Sequence, residues 1–136
     1  KRIVALLYIA DDIEHMGDVI EIGIIANISK LMEKDINFST EGQQELENFL
    51  NQIIKMFRIT IMAVRKEDKK AAREIIEMKS NLRHQEKDLR KAHLDRLLLG
   101  RPEAIESGTI HMDLLGEMRR VRTLCSKIAY TLLDEF

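Results

Sequence analysis

An all-α fold, an antiparallel four-helix bundle of long helices, is predicted by three features of this sequence. Helix breakers are scarce: 136 residues contain 6 Gly and 1 Pro. Apolar residues recur at spacings of three and four through most of the chain, the period of one helix face. The few true breaks divide the chain into four long stretches joined by short links, and short links place successive helices antiparallel. The length suits one domain, so residues 1–136 read as a single bundle.

The first helix is expected over residues 2–34. Its apolar stripe reads Leu6, Ile9, Ile13, Met16, Ile20, Ile24, Ile28, Leu31. Beside it Asp11, Glu14, Asp18 and Glu21 share a second face. Like charges in a row repel unless something positive answers them, either a metal ion or basic side chains from a neighbouring helix. Gly17 and Gly23 lie inside this helix, each costing about 1 kcal/mol against Ala. Either glycine marks a close approach or is simply tolerated at the surface.

Asp35-Ile36-Asn37-Phe38-Ser39 breaks the period. Thr40 and Gln43 fit a capping box that starts the second helix, with Leu46, Phe49, Leu50, Ile53, Phe57, Ile61 and Val64 as its buried stripe. No Gly or Pro interrupts Arg65 to Lys70, so locally the helix could continue from Thr40 to Leu99. One unbroken helix there would be a rod of about 90 Å, too long for a domain of this size. A sharp turn is therefore expected near Lys66 to Asp68, with Asp68 as N-cap.

The third helix follows over residues 69–99, burying Ile75, Met78, Leu82, Gln85, Leu89 and Ala92. Gly100 and Pro102 stop it. Residues 101–108 read as a connection, with a short helical start after Pro102 as the alternative. The last helix runs to about residue 134 and carries the clearest seam: His111, Leu114, Met118, Val121, Cys125, Ile128, Leu132.

Composition narrows the function. The net charge of −1 gives no support to a nucleic-acid partner. The single cysteine, Cys125, falls on the seam and reads as a buried reduced thiol. No apolar run approaches the ~18 residues of a membrane span. No Gly-rich phosphate loop, nucleophile elbow or zinc pattern appears, so no enzyme class is indicated. A di-iron oxidase needs two Glu-x-x-His pairs, and only Asp12 to His15 has that spacing. Of the four histidines, His84 and His93 are expected at the bundle edge and His111 in the seam. Glu14 and Asp18, at i and i+4, can reach one cation from a single face. Arg119, Arg120 and Arg122 cluster on the last helix, either as ion-pair partners for acids on neighbouring helices or as a docking patch for a partner or an anion such as phosphate.

Asp12-Ile13-Glu14-His15-Met16-Gly17-Asp18 resembles the signature of PhoU-type domains, an acidic-x-x-x-Asp pattern with Gly before the Asp. The match carries Glu14 and Asp18 as motif acids and places Gly17, while His15 stands where the family usually has Arg. Phe38-Ser39-Thr40-Glu41-Gly42 resembles the link into a following repeat. Ala92-His93-Leu94-Asp95-Arg96-Leu97, Ile110-His111-Met112-Asp113-Leu114-Leu115, Arg119-Arg120-Val121 and Ile128-Ala129-Tyr130 are similar to segments of the PhoU-like tail of bacterial Na/phosphate cotransporters.

The resemblance implies a non-catalytic regulator of phosphate transport on the cytoplasmic face of a membrane, with a transporter domain upstream in the same chain. It makes residues 1–35 the last helix of a preceding repeat and 39–136 a complete three-helix repeat. Some family members bind iron or other metal clusters through paired acidic motifs. Here Glu14, Asp18 and Asp11 are the candidate ligands for a divalent metal or iron, without occupancy being expected of this chain alone. The family pattern puts acids near Lys79 and Arg83, and near Arg119 and Thr123. This sequence has bases or a hydroxyl at those places, so Lys79, Arg83 or Arg119 is expected to form ion pairs instead, with Arg120 and Arg122 beside them. A first helix parted from its own repeat would expose apolar surface, which makes a homodimer an expectation too.

Overall fold

The computed structural model describes all 136 residues, and every regular element is helical. The first helix, α1, continues through Arg2–Asp18, a π-helical segment Val19–Ile25, and Ala26–Glu33. Then come α2 (Thr40–Lys66), α3 (Lys69–Leu98) and α4 (Pro102–Glu135). The all-α helical bundle is as the sequence predicts.

Helices α2, α3 and α4 pack mutually, whereas α1 contacts α4 alone among them. The cross-helix partners set the directions. Lys79 meets Tyr130 and His93 meets His111, so α3 and α4 run antiparallel. Asp12 meets Lys127 and Met16 meets Cys125, so α1 also runs antiparallel to α4. The seam of α4 is the centre of the core, and each of its seven expected residues is buried. Burying an aliphatic or Met side chain contributes roughly 1.5–3 kcal/mol, so this one helix supplies much of what holds the other three.

The turns follow local chemistry. Asp68 caps α3, its Oδ1 accepting from the Ala71 backbone N–H at 3.1 Å. Before it, Glu67 takes the left-handed conformation (φ 49°), and Arg2 of α1 pairs with its carboxylate. Gly100 is left-handed as well (φ 70°), where glycine has no Cβ penalty.

Four expectations need correction. Ser39, not Thr40, caps α2, its Oγ accepting from the Gly42 N–H at 3.0 Å. Residues 101–108 are not a connection: Pro102 opens α4 directly, since a first-turn proline gives up only an N–H that has no helical partner. On α2 the most buried positions include Met56, Thr60 and Ala63, one step round from Phe57, Ile61 and Val64. On α1 the buried face is Ala5, Ile9, Asp12, Met16, Val19, Gly23, Ile24 and Asn27, while Leu6 and Ile28 are exposed. The π-helical segment shifts the register midway, and no single straight stripe describes both halves.

Candidate functional site: a buried carboxylate ringed by arginines

The buried face of α3 is not purely apolar. Beyond Ile75 and Leu82 it carries Glu86, His93 and Arg96. Each needs partners from another helix, because a buried polar group left unpaired is costly. Gln85, next to Glu86, exchanges two hydrogen bonds with Gln52 of α2, at 2.7 and 2.9 Å.

Glu86 is 3% exposed and is held by three arginines. From its own helix Arg90 donates through Nε at 2.9 Å. From α4, Arg119 donates through Nε to the same Oε2 at 2.8 Å, and Arg122 through Nη2 to Oε1 at 3.4 Å. Burial works to raise the Glu86 pKa, but hydrogen bonds from Arg119 and then Arg90 outweigh it and hold the carboxyl below the usual glutamate range. In turn that carboxylate raises Arg119. Burial lowers Arg122, against the pull of Glu86. Arg122 Nε is buried and has no hydrogen-bond partner.

Beside this network opens a cavity of about 570 Å³ between α3 and α4. Five cationic side chains line it, Arg83, Lys87, Arg90, Arg119 and Arg122, against the single carboxylate of Glu86, and no apolar side chain does. Arg83 and Arg122 also border a groove of about 810 Å³ that runs under the start of α1.

One helical repeat further along lies a second polar layer. Arg96 grips Glu45 of α2 with two hydrogen bonds, at 3.1 and 3.0 Å. His93 and His111 stack there with both rings buried. His93 was expected at the edge of the bundle and instead lies in the core. The glycines facing the pair matter: a Cβ on Gly108 would stand 3.4 Å from His93 Nε2, and one on Gly42 would stand 3.4 Å from Arg96 Nη2.

The sequence-predicted site residues separate into two groups. Arg119 and Arg122 join at Glu86. Arg120 reaches only Glu117 of its own helix, at 3.5 Å. Lys79 meets no acid but sits over the Tyr130 ring, 5.2 Å from its centroid. Arg83 makes no ion pair and lines the cavity. Asp11, Glu14 and Asp18 are all exposed on α1. No set of three or more His, Cys, Asp or Glu side chains converges to hold a metal ion, so the residues of this chain do not by themselves assemble a metal centre. The acid of this stretch that is answered by a base is Asp12, buried and paired with Lys127 at 3.0 Å. Of the two glycines in α1, Gly17 faces open space, whereas a Cβ on Gly23 would collide with the Glu117 side chain.

Sequence reasoning passed over Glu86, and a signal for it existed. Glu86 lies four residues after Leu82 and seven before His93, which puts all three on one face.

Fold and site together define a class: a helical bundle with an ion network in its polar interior. The chain belongs to the PhoU domain family, which matches residues 46–132, the span of α2 to α4. Among characterised proteins it is similar to YjbB of Salmonella typhimurium, described as a candidate inorganic phosphate export protein. The two are 27% identical over 135 residues, 99% of this chain and 25% of that protein. YjbB of Escherichia coli O157:H7 and of Escherichia coli K12 are each 24% identical over the same length. The chain thus spans about a quarter of the length of these relatives. No solved structure matches it.

Proposed function

We propose that this chain is a non-catalytic regulatory domain of a phosphate-transport protein related to Na/phosphate cotransporters. The observation that carries the reading is the PhoU match across all three mutually packed helices, together with relatives named for phosphate export. No helix of the chain is long and apolar enough to cross a membrane. On this reading the transporting part is a separate membrane domain of the same protein, and the bundle acts from its cytoplasmic face.

The outer side of α1 supports contact with that remainder. Ile3, Leu7, Tyr8 and Ile22 are 74%, 65%, 62% and 71% exposed, and α1 is covered by α4 alone. A preceding repeat would cover these side chains, and a second copy of the chain is the competing occupant. Metal at Asp11, Glu14 and Asp18 would need further ligands from whatever covers α1.

The test is phosphate flux in cells making the full gene product, with and without residues 46–132 and at matched protein level. A changed rate, or a lost response to external phosphate, supports the regulatory role. Unchanged flux and an unchanged response would overturn it.

A further inference from the structure

We infer that the cavity beside Glu86 binds a condensed phosphate, a small anion carrying two or more linked phosphoryl groups. That the site serves as the domain's regulatory input rests on the function proposed above; the binding itself does not.

Charge is the first argument. Five cationic side chains face one carboxylate, and Glu86 is already answered by the arginines it holds, so the positive surplus is open to a ligand. Preorganisation is the second. Glu86 fixes Arg90, Arg119 and Arg122 by hydrogen bonds before any anion arrives, and a guanidinium held in place loses little freedom on binding an oxyanion. Third, the Arg122 side chain is 9% exposed, and its Nε, which no group in the protein satisfies, belongs to a residue lining this cavity.

Shape narrows the ligand. The lining has no apolar side chain, so an acyl chain would find no surface to rest on. At about 570 Å³ the space exceeds what one tetrahedral oxyanion fills. Arg83 and Arg122 line both this space and the groove under α1, an arrangement that suits a linear polyanion.

Isothermal titration of the 136-residue chain tests this, at about 100 mM salt so that weak surface attraction is screened. Tripolyphosphate, pyrophosphate, orthophosphate and citrate are the probes. One tripolyphosphate per chain is expected, with pyrophosphate weaker and orthophosphate weaker still. The Arg83→Ser/Lys87→Ser variant removes two exposed cations outside the Glu86 ion pairs and should bind at least about tenfold more weakly. Lys55→Ser, an exposed cation on α2, should bind as before. The inference falls if no saturable heat appears, if citrate or orthophosphate binds as tightly as tripolyphosphate, or if Arg83→Ser/Lys87→Ser binds undiminished. Flux in cells separates the two claims. Intact binding with flux indifferent to the double variant removes the regulatory reading and keeps the site. Absent binding with flux that still depends on residues 46–132 does the reverse.

Discussion

His93 and His111 stack ring on ring in the core, centroids 4.1 Å apart and planes 9° from parallel, and no hydrogen bond reaches His93 Nε2 or either nitrogen of His111. Phe38 meets the His111 ring edge-on, centroids 5.6 Å apart. Two neutral imidazoles can stack this way. Two imidazoliums next to Arg96 could not.

An acid-labile core follows. Burial, then His93, Arg96 and Arg90, push His111 from 6.5 down to about 3, and burial and Arg96 also lower His93, with Glu45 opposing. The unfolded chain takes up these protons first as pH falls, so stability is full above pH 6.5 and is lost between there and about pH 3. Each histidine contributes a slope of at most about 1.4 kcal/mol per pH unit. Urea denaturation at pH 7.5, 6.5 and 5.5 should show the loss. His111→Phe keeps a ring in the same place and should flatten the curve. An equally steep curve in His111→Phe would show that other groups set the acid limb. Glu86 adds its own loss further down, beginning in the usual glutamate range, where the unfolded chain takes up the proton first, and complete once the native carboxylate is protonated.

Asp12 and Lys127 tie α1 to α4. The carboxylate is 2% exposed and its Oδ2 has no partner, while Lys127 lies mostly in water. The hydrogen bond from Lys127 to Asp12 raises the lysine pKa, so the pairing favours the charged lysine. Removing the base strands a buried charge; removing both charges together does not. Lys127→Ala should therefore lower the thermal midpoint more than Asp12→Asn/Lys127→Ala does. If the double variant is the less stable of the two, the pair is stabilising as a unit and the stranded-charge argument fails.

Cys125 is fully buried, with its thiol 3.6 Å from the Met16 sulfur. Burial pushes its pKa up to about 11, against a smaller opposing effect of Thr60, and the thiolate is the reactive form. At pH 8 a thiol reagent should label the native chain no faster than it unfolds, and urea should accelerate labelling in step with unfolding. Rapid labelling without denaturant would mean that α1 lifts off α4 far more readily than the packing indicates.

What could be read beforehand divides along a physical line. The α4 seam, the turn at Glu67 and Asp68, and the stop at Gly100 and Pro102 are local: each rests on periodicity, capping or backbone conformation within a few residues. Glu86, His93, Arg96 and Asp12 were misplaced or missed because each is buried by virtue of a partner far along the chain, Arg119, His111, Glu45 and Lys127 respectively. A polar residue on a buried stripe looks like a break in the stripe until that partner is known. Arg119 and Arg122 were legible as ion-pair candidates; their common acid was not.

The lopsided packing of α1 gives the last prediction. Helices α2 and α3 each have two neighbours, α4 has three, and α1 has one. Its far side leaves large apolar residues in water, and a π-helical segment interrupts its hydrogen-bond register at Val19–Ile25. Local opening draws on the elements with the fewest buried contacts. Native-state hydrogen exchange should then show α1 amides opening at lower free energy than those around Leu115 and Met118 of α4. Lys127→Ala should speed exchange in α1 while leaving α2 and α3 nearly as before, because it cuts only the tie between α1 and α4. Exchange in α1 at the same free energy as the α4 core would show that the four helices unfold as one unit, and that the single face α1 shares with α4 is enough to hold it.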